Sequence, residues 1–129
     1  MNGRVLLDTN IVIAFFAQEL AVLQNMQAAE KFFIPTIVLG ELYFGARKSS
    51  KPVQNLKRLD ELAMQTAILG CDIKTAQQYG QIKDLLRQKG LPIPENDIWI
   101  AAMARQHKLT LVSRDAHFEQ VDDLPITTW

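Results

Sequence analysis

The sequence is poor in cysteine, in long apolar runs and in net charge. Cys71 is the only cysteine in the 129 residues, which excludes an intrachain disulfide and favours a reducing, cytoplasmic location. No apolar run reaches the roughly 18 residues of a membrane-spanning helix, and the N-terminus lacks the pattern of a secretory signal, so we expect no membrane segment and no export. Fourteen basic and fourteen acidic residues cancel at pH 7, and this balance alone argues against a nucleic-acid-binding protein.

The sequence does contain a regular alternation of short apolar segments and longer segments with helical periodicity. The predicted strands cover residues 4–8, 32–35, 67–72, 109–113 and 124–129. The first predicted helix begins at residue 10 and continues over 18–32, and the later helices cover residues 36–48, 51–67, 73–90 and 97–108. This alternation predicts an α/β fold with a parallel sheet covered by helices on both faces, within a single domain, residues 1–129. Ligands of such sheets bind at the carboxyl ends of the strands.

Four acidic residues occupy positions where chemistry is expected in such a sheet. Asp8 follows the first strand in the segment VLLDTNIVI, and Asp115 follows the strand LTLVS by two positions, so both lie at carboxyl ends of strands. Asp97 opens the helix DIWIAAMA. Glu41 interrupts the apolar helix TIVLGELYFG, and we expect its side chain to be at least half buried among apolar neighbours.

Few basic residues lie near these carboxylates in the sequence. Arg114, beside Asp115, is the only basic residue adjacent to one of them. If the four groups converge, their mutual repulsion prevents full ionisation unless a cation is bound. Oxygen-only ligands suit Mg²⁺ or Mn²⁺ rather than Zn²⁺, and carboxylates around Mg²⁺ commonly bind phosphate substrates. The set therefore suggests attack on a phosphodiester by metal-activated water.

Each of the four acids also has an ordinary structural explanation. Asp8 is a good cap for the following helix, Asp97 suits the first turn of its helix through the helix dipole, and Asp115 is a common turn residue. Glu41 could simply face water. The interpretation as a metal site therefore depends on the four residues as a set.

Four segments of the chain together resemble the PIN-domain ribonucleases, specifically the VapC toxins of bacterial toxin–antitoxin pairs. In chain order they are LLDTNIVIAFF, IPTIVLGELYFGA, ENDIWIAAMA and LTLVSRDAHFEQV. The resemblance extends from about residue 4 to Trp129 and implies a three-layer α/β/α sandwich with a parallel sheet. It also implies Mg²⁺- or Mn²⁺-dependent endonuclease cleavage of RNA, a homodimer, and a cognate antitoxin whose tail covers the active site.

The resemblance also implies roles for particular residues. The acidic positions of the family's site are matched by all four acids, Asp8, Glu41, Asp97 and Asp115, which we expect to be catalytic and to hold the metal. Among them, Asp8 and Asp97 are the first candidates for direct ligands. The small polar residues that accompany the acids in the family are matched by Thr9, Asn10 and Ser113, for which we expect a supporting role.

Basic residues are clustered although the net charge is zero. If metal occupies the four acids, fourteen basic residues remain against ten acidic ones. The candidates for contacts with RNA phosphates are Arg47, Lys48, Lys51 and Arg114, with Lys57 and Arg58 in the same cluster as the first three. The alternative for Lys57 and Arg58 is a solvated helix face.

Two other classes of protein could also place acids at strand ends. A receiver-like phosphoacceptor binds Mg²⁺ there, but it pairs its acids with a lysine after a late strand, where this sequence has Arg114 in LTLVSRD. A non-catalytic interaction module would use the acids only as helix caps and would bind no divalent metal. Among the other residues, His117 is a weak candidate for substrate contact, whereas Cys71 and Trp99 are expected in the core.

Overall fold

A sheet of five short parallel strands forms the centre of the protein. The computed structural model describes residues 3–129, so the first two residues of the predicted domain 1–129, Met1 and Asn2, lie outside the described part. In chain order the strands are β1 (Arg4–Leu7), β2 (Lys31–Pro35), β3 (Ala67–Leu69), β4 (Thr110–Val112) and β5 (Ile126–Thr127). Their spatial order is β3-β2-β1-β4-β5, and every neighbouring pair is parallel, which confirms the predicted parallel sheet.

Six α-helices in the described part of the chain flank this sheet and confirm the α/β/α arrangement. They are α1 (Thr9–Phe16), α2 (Leu20–Ala28), α3 (Thr36–Lys48), α4 (Pro52–Gln65), α5 (Ile73–Lys89) and α6 (Glu95–His107). Helix α3 packs against α4, and α5 packs against α6. Within residues 3–129 no single helix has the length and apolarity needed to cross a bilayer; α1 and α2 meet both criteria only when taken together, and their axes are bent by 111°.

The structure differs from the sequence prediction mainly at the ends of elements. The helical segment predicted from residue 10 through 18–32 is divided into α1 and α2, because Gln18 adopts a left-handed conformation with φ 59° that redirects the chain. The strand predicted over 67–72 ends at Leu69, so Cys71 is exposed in the following loop and the prediction of a core cysteine is wrong. A short 3₁₀-helix at Ala116–Gln120 was not predicted at all.

The two strands at the middle of the sheet position the site. Leu6 and Leu7 of β1 and Leu111 and Val112 of β4 are fully buried, as expected for central strands covered on both faces. The chain adds β2 and β3 on one side of β1 and later adds β4 and β5 on the other, so the direction of strand order reverses between β1 and β4. Ligands of open α/β sheets bind at such a switch point. Receiver-like folds have the different order 2-1-3-4-5, so the architecture argues against the receiver alternative.

Candidate metal centre

Asp8 lies at the switch point, directly after β1. The pairing of β1 with β4 sets Leu7 opposite Val112, and the Asp8 amide donates to the Val112 carbonyl oxygen at 3.0 Å, which places position 8 beside Ser113. Asp8 is also the N-cap of α1, and its Oδ1 accepts a hydrogen bond from the Thr9 amide at 2.8 Å. The helix cap and the predicted site residue are therefore the same side chain, so the two explanations of Asp8 do not exclude each other.

Ser113 connects the acids that follow β1 and β4. Its buried hydroxyl donates to Asp8 Oδ2 at 2.6 Å and accepts from the Asp115 amide at 3.0 Å. Asn10 adds a second link, because its Nδ2 lies 3.4 Å from Asp8 Oδ2 while its Oδ1 accepts from the Arg114 amide at 3.2 Å. Ser113 and Asn10 therefore hold the Asp8 carboxylate and the turn after β4 in a fixed relation.

The structure also brings Asp97, Asp115 and His117 together. Asp97 lies in the first turn of α6, Asp115 caps the 3₁₀-helix, and both are half-buried. His117 Nδ1 lies 3.1 Å from Asp97 Oδ2 and 3.0 Å from Asp115 Oδ1. One ligand atom of each residue falls within 4.8 Å of the other two, close enough for a single ion to contact all three after small side-chain adjustments. Sequence reasoning gave little weight to His117, because no local pattern joins positions 97 and 117.

Glu41 lies at the edge of this group and is exposed, so the prediction that it is at least half buried is wrong. Helix α3 buries the face that carries Val38 and Leu42, but it leaves Glu41 and the apolar Phe44 in solvent. The prediction of a buried Glu41 relied on its apolar sequence neighbours. Part of the apolar surface of α3 is itself exposed, so apolar neighbours do not imply burial here. The Thr9 hydroxyl donates to Glu41 Oε1 at 3.0 Å and thereby joins α3 to the first turn of α1.

The carboxylates at the switch point are costly to ionise together without a cation. Burial raises the pKa of Asp8, an effect that hydrogen bonds from Ser113 and Thr9 oppose and that the charge of Asp115 reinforces. Burial likewise raises the pKa of Asp97, which His117 opposes and the charges of Asp8 and Asp115 reinforce. Within residues 3–129, no lysine or arginine forms an ion pair with any of the three. A group of hard carboxylate oxygens without an internal cation fits a bound divalent metal ion.

Glu95 is a further carboxylate of α6 that borders the same cleft, but a basic side chain of the protein pairs with it. The cleft is lined by Glu41, Pro94, Glu95, Asn96, Asp97, Asp115 and His117. Glu95 accepts hydrogen bonds from Lys83 Nζ at 2.6 Å and from the Tyr79 hydroxyl. Tyr79 stacks on Trp99 with ring centroids 4.1 Å apart, so Trp99 is half-buried at a contact between helices and not in the core as predicted. Sequence reasoning missed Glu95 because its partners lie on another helix.

The residues predicted to contact RNA lie in two different places. Three are exposed where α3 gives way to α4, namely Arg47 and Lys48 in the last turn of α3 and Lys51 at the N-cap of α4. Arg114 lies beside the acids but is engaged elsewhere. Its guanidinium pairs with Glu19 at 2.8 Å and donates to the Trp129 carbonyl oxygen at 3.0 Å. Within residues 3–129 the first three form no ion pair, although Lys48 Nζ lies 4.4 Å from the centre of the Phe44 ring, whereas Arg114 is held by Glu19 and Trp129.

An apolar groove adjoins the acidic cleft and shares Glu41 with it. The groove lies between α1, α3 and α4 and is lined by residues that include Ile13, Phe16, Leu42 and Leu59. Ile13 is apolar and yet 55% exposed. Arg58 crosses the groove, with its guanidinium carbon 4.6 Å from the centre of the Phe16 ring and a hydrogen bond to the Phe16 carbonyl oxygen at 3.1 Å. This surface is the kind that a partner protein covers.

Comparison with known proteins identifies the family. The model of the PIN domain family matches residues 5–124. The chain is 39% identical to ribonuclease VapC2 of Haemophilus influenzae and 32% identical to the tRNA(fMet)-specific endonuclease VapC of Shigella flexneri, each alignment covering 98% of both chains. It also matches the crystal structure of VapBC2 from Rickettsia felis bound to a DNA fragment from their promoter, with a TM-score of 0.91, 31% identity and 98% of both chains covered. This chain therefore belongs to the PIN-domain family, among the VapC ribonucleases.

Proposed function

We propose that this protein is a divalent-metal-dependent endoribonuclease that acts in the cytoplasm as the toxin of a toxin–antitoxin pair. The observation that carries the proposal is the group of carboxylates at the switch point, Asp8, Asp97 and Asp115, which have no lysine or arginine ion pair in the part of the chain that the structure describes. The fold does pair Glu95 with Lys83, so an internal cation is available to α6 but is not used for Asp97. The ribonuclease names of the VapC relatives support the same activity.

Four acids would hold the metal in this proposal: Asp8, Glu41, Asp97 and Asp115. A bound Mg²⁺ or Mn²⁺ supplies stabilisation of negative charge on the attacked phosphate and a lowered pKa for water. The Ser113 hydroxyl and the Thr9 amide fix the orientation of the Asp8 carboxylate, and the Thr9 hydroxyl does the same for Glu41. Ligands that are already oriented bind an ion more tightly, because less side-chain freedom is lost on binding.

The substrate is RNA, and tRNA(fMet) is the first RNA to test because it is named as the target of the relative from Shigella flexneri. The exposed cations Arg47, Lys48 and Lys51 would bind phosphates, in which case RNA affinity falls as salt is raised. Arg114 is a weaker candidate for this role, because RNA would have to compete with Glu19 for its guanidinium.

The partner is an antitoxin, as the resemblance to the VapC toxins implies, and the match to the structure of VapBC2 from Rickettsia felis supports this assignment. The apolar groove between α1, α3 and α4 is the surface we assign to it. Exposed Ile13 and the ring of Phe16 offer apolar contacts, and Glu41 lies where the groove meets the acidic cleft, so a segment in the groove would also obstruct the site. A homodimer, as predicted for the family, is expected in solution and can be measured by light scattering.

The test is cleavage of tRNA and of a total-RNA pool by the purified chain without antitoxin. The reactions contain Mg²⁺, Mn²⁺ or EDTA, and compare the wild type with Asp97→Asn. Asp84→Asn is the matched control, since it makes the same change at an exposed acid on α5 that is already paired with Arg87. We expect discrete products that require metal, survive in Asp84→Asn and disappear in Asp97→Asn.

Metal binding separates the proposal from the remaining alternative. An interaction module that uses its acids only as caps would neither cleave RNA nor bind a divalent ion by calorimetry, and that pair of results would overturn the proposal. Cleavage that persists in EDTA would refute metal dependence while leaving the ribonuclease activity in place.

A further inference from the structure

His117 lies between two of the four proposed metal ligands, although it is not one of the acids on which the proposed function rests. Its Nδ1 is 3.1 Å from Asp97 Oδ2 and 3.0 Å from Asp115 Oδ1, so one imidazole nitrogen contacts both carboxylates. The three ligand atoms fall within 4.8 Å of one another. This imidazole nitrogen therefore occupies the position that an ion shared by the two carboxylates would face, and the neutral ring protonated at Nε2 presents a lone pair there.

The local backbone holds the imidazole at this point. Asp115 caps the 3₁₀-helix Ala116–Gln120, and its Oδ1 accepts a hydrogen bond from the His117 amide at 3.0 Å. The next residue, Phe118, is completely buried and anchors this short helix to the core. The backbone of His117 is thus tied to one of the two carboxylates that its side chain contacts, and its position does not depend on a flexible loop.

We propose that His117 Nδ1 is a nitrogen ligand of the ion held by Asp97 and Asp115, and that it makes the site favour Mn²⁺ over Mg²⁺. The inference deepens the proposed function and rests on it. Mg²⁺ prefers oxygen ligands throughout, whereas first-row transition ions also accept imidazole, and Mn²⁺ combines this with the preference for carboxylates that it shares with Mg²⁺. A site built from carboxylates alone would distinguish the two ions weakly, and one imidazole in place of an oxygen ligand shifts the preference.

Bound Mn²⁺ reports its own ligands, which gives a test that does not depend on cleavage. The experiment is pulsed electron paramagnetic resonance of Mn²⁺ on the full-length chain without a histidine tag, since only His107 and His117 carry imidazoles. His117→Asn is the key variant, because the amide can keep a hydrogen bond near the Nδ1 position but offers oxygen to a metal. His107→Asn is the matched control, because His107 is the last residue of α6, about 15 Å along the helix from Asp97.

We expect a ¹⁴N coupling typical of bound imidazole in the wild type and in His107→Asn, and its loss in His117→Asn. Calorimetry with each ion alone adds a second readout. His117→Asn should weaken Mn²⁺ binding at least about tenfold and change Mg²⁺ binding little.

Two results would overturn the inference in distinguishable ways. If the wild type binds Mn²⁺ without a ¹⁴N coupling, or if the coupling persists in His117→Asn, the nitrogen ligand is refuted while the carboxylate site stands. If the wild type binds neither Mn²⁺ nor Mg²⁺, the inference fails together with the metal dependence of the proposed function.

Discussion

Glu95 and Asp97 lie two residues apart in the first turn of α6, and the fold treats their charges in opposite ways. Glu95 is exposed and is bound by Lys83 and Tyr79, whose hydrogen bonds lower its pKa, with that of Lys83 the larger effect. Asp97 is half-buried, and burial together with the charges of Asp8 and Asp115 raises its pKa despite the contact with His117. One helix turn therefore carries one acid whose ionisation the protein supports and one whose ionisation it opposes.

The difference is consistent with a structural role for Glu95 and with the proposed metal-binding role for Asp97. An acid that only stabilises structure is best paired, because an unpaired and partly buried carboxylate costs stability. Asp97 and Asp8 keep much of that cost, because no lysine or arginine in residues 3–129 forms an ion pair with either, and a bound cation would relieve it. Strained electrostatics of this kind are common at functional sites, where stability is given up for binding or catalysis.

The largest effect should come from removing a carboxylate of the switch point. Asp8→Asn should lower RNA cleavage at least about 100-fold, because a metal ligand is lost, while the fold is retained because asparagine caps helices as well as aspartate. Glu95→Gln should lower it far less, since the Glu95 charge is already paired with Lys83. Cleavage rates and circular dichroism of both variants check this, and equal losses would remove the distinction between the two acids.

Metal binding should stabilise the protein through Asp8 and Asp97, which form no ion pair with a lysine or arginine of residues 3–129. At a hundredfold excess over its dissociation constant, Mg²⁺ or Mn²⁺ should add about 2.7 kcal/mol to the free energy of unfolding. We expect Glu95→Gln to keep this gain and Asp97→Asn to lose most of it. Thermal melts with metal and with EDTA measure the gain, and an undiminished gain in Asp97→Asn would locate the ion elsewhere.

Without metal, Asp97→Asn should make the protein more stable. The pKa of Asp97 is raised in the folded state, so its ionised form costs stability above that raised value, and the cost fades as the pH falls toward the ordinary value of 3.8. Neutral asparagine avoids the cost, and we expect a gain of about 1 kcal/mol at pH 7 that declines on acidification. Denaturant unfolding in EDTA at several pH values would reveal the trend, and a loss of stability at pH 7 would contradict it.

The smallest effect should come from breaking the ion pair between Glu95 and Lys83. Glu95→Gln should lower the melting temperature slightly in EDTA, because the contact with Lys83 is exposed and screened by solvent. The difference from the wild type should shrink as salt is raised. The sign is opposite to that expected for Asp97→Asn, so melts of the two variants side by side compare the two acids directly.

Much of the candidate site could be identified from the sequence because its signals are local. Asp8 and Asp115 follow apolar strands, and the alternation of elements indicates that carboxyl ends of parallel strands share one edge of the sheet. Glu41 was identified as a site candidate, but its exposure was not, because local apolar composition does not reveal which face of α3 meets the core. Cys71 was wrongly predicted to be buried for a similar reason. The strand was predicted to end at residue 72 but ends at Leu69, so Cys71 lies outside the strand and outside the core.

The sequence by itself determined the alternation of strands and helices, the acids at their junctions and the cap of α1 by Asp8, because each depends on neighbours within a few positions. Only the tertiary structure decided that Ser113 orients Asp8, that His117 meets Asp97 and Asp115, and that Lys83 neutralises Glu95 while Asp97 receives no lysine or arginine from residues 3–129. Apart from the contact of His117 with the nearby Asp115, those contacts join residues from 12 to 105 positions apart, and their geometry follows from strand order and helix packing, which no local pattern encodes.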